Sequence, residues 1–228
     1  MQQAVGDALS AAAPGPVVVV DICSGVGSAL LPVLASHPRR GDVTAYLLEL
    51  DHESVTGARE TIDTLGLDRV NVVEADAGLL LSYAGLPQAN ILILSGVLAH
   101  LSGADRIALL DFLPHLGVPE ATLVWTIGNR WDPTRIRRVR GYVVQAGVAR
   151  LALRVVSRWR WGGGVKHEIG VGRMRQTPHG PEPGPGTRLF TFRLSFWERH
   201  PRARQFLRPA LRIIRAHLTR TLTASRPA

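Results

Sequence analysis

The sequence predicts an α/β fold, a doubly wound sheet of seven mostly parallel strands with a C-terminal extension. Two observations carry this reading. Short apolar runs alternate regularly with amphipathic stretches, as they do where parallel strands are buried on both faces and joined by helices. A glycine turn follows the first run directly, at the end of the strand where such sheets meet their ligands.

Taken in order, residues 17–21 (VVVVD) form the first strand, followed by the glycine turn and a helix through about residue 36. About 15 residues precede this strand, too few to promise a helical cap. Residues 44–49 form a second strand and 53–65 a helix, 70–74 a third strand, and 91–94 a fourth. A helix at 103–116 leads to a fifth strand at 121–127, and an Arg-rich helix at 133–146 precedes two final strands at 150–156 and 167–173. Residues 177–186 (TPHGPEPGPG) can continue neither helix nor strand. One domain therefore spans 1–176, a Pro/Gly linker 177–188, and a basic extension 189–228. Within the extension, residues 189–197 (LFTFRLSFW) suit a strand and 209–222 an amphipathic helix. Leu207, Leu211, Ile214 and Leu218 line one face of that helix, and Arg204, Arg208, Arg212 and Arg215 another.

The 228 residues are 46% hydrophobic and 20% charged, a globular composition. Cys23 is the sole cysteine, which excludes a disulfide framework and fits a reducing compartment. No apolar run approaches the length of a membrane span, and no basic segment precedes an apolar one at the start, so a cytoplasmic protein is expected. The net charge of +9 conceals a division. Residues 1–120 carry 5 Arg against 14 acids, and residues 121–228 carry 22 basic residues against 4 acids. Such a split suits an anionic partner, or two faces that pair within the fold or across a homodimer.

The turn after the first strand reads DICSGVG. Gly25 and Gly27 let the backbone bend and approach a ligand, and the helix that follows presents unpaired N–H groups. A dinucleotide fingerprint does not fit. It needs a third glycine at position 30, where Leu30 stands, and its first glycine would not trail the strand by four residues. An acid at the strand end, Asp21, would face a pyrophosphate badly and a cationic amino acid well.

The run Asp21–Gly27 resembles the first motif of class I S-adenosylmethionine (SAM)-dependent methyltransferases, written (D/E)-x-G-x-G-x-G. Cys23 departs from it, standing where the first glycine is usual, which is tolerable if position 23 keeps φ negative. The resemblance covers about residues 16–175 and implies a Rossmann-like fold, SAM as the cofactor and no metal. It assigns the ribose hydroxyls to Glu49, with Asp51 as the competing acid and Leu50 beside the cofactor. Asp76 and the Ala77 backbone N–H are assigned to the adenine, as the pair following the third strand in VNVVEADAG.

After the fourth strand, ILILSGVLAHLSG lacks the Asn/Asp-Pro-Pro-Tyr/Phe tetrad of enzymes that methylate nucleobase amines. It is similar instead to the GVLxHL segment of small-molecule methyltransferases. Ser95 and Gly96 would approach the methionine portion, and His100 would stand near the acceptor as a candidate general base. The expected partner is a small-molecule acceptor. An RNA substrate held by Arg135, Arg137, Arg138 and Arg140, and a SAM-binding partner protein or cyclase, are the alternatives. Candidate lids are the loop 158–165 with Trp159 and Trp161, the Pro/Gly linker and the C-terminal extension, and Trp125 and Trp131 flank the exit of the fifth strand.

Overall fold

The computed structural model describes residues 1–128, 134–160, 163–174, 184 and 186–192. All of them belong to one compact unit, Met1–Phe192. The helix expected at 209–222 lies outside the described residues, as does Trp131.

The chain runs α1 (Gln2–Ala11), β1 (Val17–Ile22), α2 (Leu31–Leu34), β2 (Val43–Glu49), α3 (His52–Leu65), β3 (Val70–Glu74), β4 (Ala89–Leu94), α4 (Gly103–Leu116), β5 (Gly117–Gly128), α5 (Arg135–Gln145), β6 (Val148–Arg160) and β7 (Gly163–Met174). The sheet order is β3-β2-β1-β4-β5-β7-β6. The first five strands in sequence are parallel, and β7 runs antiparallel to both β5 and β6. The predicted seven-stranded, mostly parallel α/β sheet is the observed one.

Each face of the sheet carries its own core. Val17, Val19, Leu47 and Ile93 pack with α1, α2 and α3, while Val20, Ile22, Leu94 and Trp125 pack with α4 and α5. Strand alternation places Asp21 on the face of Val17 and Val19. Burial on both sides explains why the central strands read as unbroken apolar runs.

Several elements differ from expectation. Residues 2–11 form a helix, α1, which buries Val5, Ala8 and Leu9 against the sheet. At ten residues, with Gly6 in its interior, its sequence signal was weak; packing makes it a helix. The helix after the glycine turn is only one turn long, Leu31–Leu34 with Pro32 in its first turn, because residues 23–30 are spent on tight turns. The last two strands are longer than predicted, so the Trp-rich stretch is mostly a β6–β7 hairpin; Trp161 lies outside the described residues. Residues 189–192 are not a strand: only an isolated bridge forms, between Arg188 and Leu79. Leu189 and Phe190 are nonetheless buried in the core beside α4.

Candidate active site

The ends of β1, β2, β3 and β4 meet at one edge of the sheet, and the residues singled out from sequence lie along it. The turn after β1 is built on three left-handed residues, Cys23 (φ 54°), Gly25 (57°) and Gly27 (72°). The condition under which a non-glycine residue at position 23 would be free of strain, a negative φ, is therefore not met. The turn demands the same backbone shape that glycine ordinarily supplies, and Cys23 adopts it at a steric cost. Gly27 admits no substitute, since a Cβ there would come within 2.7 Å of Leu31 and 2.8 Å of Leu47.

Asp21 is wholly buried, and neither carboxylate oxygen has a hydrogen-bond partner among the described residues. Desolvation, and secondarily the charge of Glu49, raises its pKa from 3.8 to about 8. A buried acid without a partner costs free energy that a cationic group would offset. The site thus suits an ammonium ligand. Cys23 is pushed up to about 12, by burial first and then by Glu49, Asp21 and Asp76, so its thiol stays protonated.

Glu49, the acid assigned from sequence, and its competitor Asp51 engage different partners. Asp51 caps α3, accepting from the Ser54 N–H at 3.0 Å and its hydroxyl at 2.8 Å. Glu49 turns to the glycine turn, where Oε2 accepts from the Gly25 N–H at 2.7 Å. Its Oε1 accepts from the N–H groups of Leu50 and Asp51, both at 2.9 Å. A carboxylate has about four lone-pair positions, so these three donors leave Oε2 room for one more. Holding both ribose hydroxyls would require one of the backbone donors to yield. Leu50 beside it is 63% exposed, an unusual setting for a leucine and a ready apolar platform.

The loop after β3 is fastened internally. Ser82 Oγ donates to the Asp76 carbonyl at 2.6 Å and Tyr83 Oη to that of Ala77 at 2.7 Å. Asp76 itself accepts from the Gly78 N–H at 2.8 Å and from Arg188 Nη1 at 3.0 Å. Beyond β4, Gly96 (φ 78°) donates its N–H to Thr126 Oγ1 at 2.8 Å, tying the Ser95–Gly96 turn to β5. Arg106 Nε holds the following turn by the Leu98 carbonyl at 2.6 Å. His100 closes that turn, and its ring stacks on Phe192 with centroids 4.8 Å apart.

Four contributions escaped sequence reasoning. Met1, Gln2 and Gln3 of the α1 end line a cavity of about 450 Å³ with Ser28, Ala29 and Ser95, and Gln2 Nε2 donates to the Ser28 carbonyl at 3.0 Å. The N-terminus therefore covers the turn, where a lid was sought elsewhere. Arg188 and Phe192 reach the loop after β3 and His100. The buried carboxylate of Glu168 on β7 pairs with Arg140 of α5 at the same edge. Thr126 anchors Gly96. None carries a local motif; each is brought in by strand pairing or by a return of the chain. Among the described residues no group of side chains could hold a metal ion.

No known family model matches the sequence, and no curated protein is similar to it. Solved structures do share its shape. The chain is similar to an O-methyltransferase family protein from Burkholderia thailandensis at TM-score 0.53 and 20% identity, over 78% of this chain but only 57% of that one. It is similar to the N-terminal domain of EvdMO1 with SAH bound at TM-score 0.53 and 17% identity, over 75% and 80% of the two chains. An rRNA methylase from Streptococcus thermophilus matches at TM-score 0.52 and 14% identity, over 75% and 95%.

Proposed function

We propose that this chain, whose fold is that of class I methyltransferases, is an enzyme transferring a methyl group from SAM to a small-molecule acceptor. The observation that carries the reading is the partnerless carboxylate of Asp21, buried beside the glycine turn and within electrostatic reach of Glu49. That arrangement has no cationic partner among the described residues and suits the ammonium end of SAM. Glu49 offers its remaining lone pair to a ribose hydroxyl, Leu50 an apolar face to the purine, and Asp76 with the Ala77 N–H polar contacts to the purine edge. Gly25 and Gly27 keep the turn clear of side chains.

SAM supplies a methyl carbon already activated by its sulfonium, so the protein's task is alignment and exclusion of water. Ser95 and the α1 end enclose the methionine side. His100 stands past β4, where it would accept a proton from an acceptor hydroxyl or amine. The SAH-bound neighbour supports the cofactor, and the segment SGVLAH supports the small-molecule class. The rRNA methylase neighbour and the exposed Arg137 and Arg138 on α5 keep an RNA acceptor as the second reading.

Calorimetric titration with SAH tests the cofactor. Glu49→Ala is expected to weaken binding by roughly 1–3 kcal/mol, the scale of a hydrogen bond to a charged group; unchanged affinity in a folded variant rejects the ribose assignment. Incubating metabolite extracts with methyl-labelled SAM and following the label by mass spectrometry identifies the acceptor. In that assay, His100→Ala within about threefold of the parent rate rejects a general-base role.

A further inference from the structure

The loop that opens with Asp76 is clasped by a segment 112 residues further along the chain. Residues 187–192 lie antiparallel to it. The Leu80 N–H donates to the Thr187 carbonyl at 2.9 Å and the Leu189 N–H to the Gly78 carbonyl at 2.8 Å. Leu189 and Phe190 are buried, so this backbone is fixed. Gly78 is what permits the approach, because a Cβ there would stand 2.2 Å from the Phe190 carbonyl oxygen. From this strap Arg188 donates to Asp76 Oδ2 while the Gly78 N–H donates to Oδ1; a lone pair remains on each oxygen, so a further donor at Oδ2 contends with the guanidinium for space and charge, not for the last acceptor position.

We propose that Arg188 sets the affinity of the purine subsite by competing with the exocyclic amine of the cofactor for Asp76. The proposal rests on the SAM reading above. The Gly78 bond belongs to a loop pinned by Ser82 and Tyr83 and does not yield without unwinding it. The Arg188 side chain is 47% exposed and that of Asp76 31% exposed, so the guanidinium can leave for water while the strap stays docked. An ion pair this exposed is weak, which makes Arg188 a tuning device rather than a block. The apparent affinity is the intrinsic one multiplied by the fraction of molecules in which Asp76 is free to receive the amine.

The test is calorimetric titration of the full chain and its Arg188→Ala variant with SAH and with S-inosylhomocysteine, in which a carbonyl replaces the purine amine. Arg188→Ala is expected to bind SAH roughly two- to fivefold more tightly, with no gain for the inosyl compound. In an Asp76→Ala background the Arg188 substitution should add nothing. Equal or weaker SAH binding by Arg188→Ala overturns the proposal, and so does an equal gain for both compounds, which would mark a general change in shape or charge. Failure of the parent chain itself to bind SAH would instead remove the cofactor reading, and the proposal with it.

Discussion

Asp21 illustrates how one side chain can make cofactor binding a function of pH. Its folded pKa of about 8 lies above the 3.8 of an unperturbed aspartate. Folding therefore takes up a proton between these values, and the associated stability, full below the lower one, is lost as pH rises through the upper. A ligand that pairs its ammonium with ionised Asp21 must expel that proton. SAH affinity is expected to rise from pH 6 towards 8, with proton release visible as a dependence of the calorimetric heat on buffer ionisation. Asp21→Asn should abolish both the release and the slope; a flat profile in the parent chain contradicts the assignment. Cys23 makes a separate prediction at this scale. A left-handed non-glycine residue costs about 1–2 kcal/mol, partly balanced by the looser unfolded chain that glycine creates. Cys23→Gly should leave denaturant stability unchanged or raise it by up to ~1 kcal/mol, and a clear loss would show that the thiol packs productively.

At the scale of elements, the seam between β5 and β7 explains residues that carry no motif. Trp125 pairs in register with Gly170, and its ring fills the space over that glycine, where a Cβ would come within 2.1 Å of the indole. Gly170→Ala should cost roughly 1–3 kcal/mol by overpacking, measurable by urea unfolding. Two positions along, Glu168 sits fully buried under α5 and depends on Arg140 for compensation. Arg140→Met should destabilise by about 3 kcal/mol, because it strands a buried carboxylate, and adding Glu168→Gln should recover part of the loss. Additive losses in the double variant would mean the two groups do not act as a pair.

For the molecule as a whole, the relevant quantity is the division of charge between an acidic first half and a strongly basic second half. Long-range fields of this kind govern encounter with anions rather than the fold. The small-molecule reading expects RNA retention to vanish by physiological salt. An RNA substrate would show instead a steep linear fall of log affinity with log salt, about 0.9 for each phosphate contacted in a duplex. Filter binding of the full chain across a salt series distinguishes the two. No helix among the described residues is long and apolar enough to cross a membrane.

The sheet, the turn after β1 and the acids at the ends of the first three strands are legible along the chain. Buried strands, helix faces and close backbone approaches impose their residue choices locally, within a few positions of chain. The motif spacing also favours Glu49 over Asp51, while the partners each acid finds depend on where Gly25 and Ser54 lie in space. The glycine-like conformation of Cys23, the cover of α1 over the turn, and the return of Arg188 and Phe192 to Asp76 and His100 follow from the folded chain alone. Those contacts join residues as much as 112 positions apart. They arise because burying Leu189 and Phe190 in the core shared with α4 and the loop after β3 brings the strap across the site, a consequence of the assembled core that no local pattern encodes.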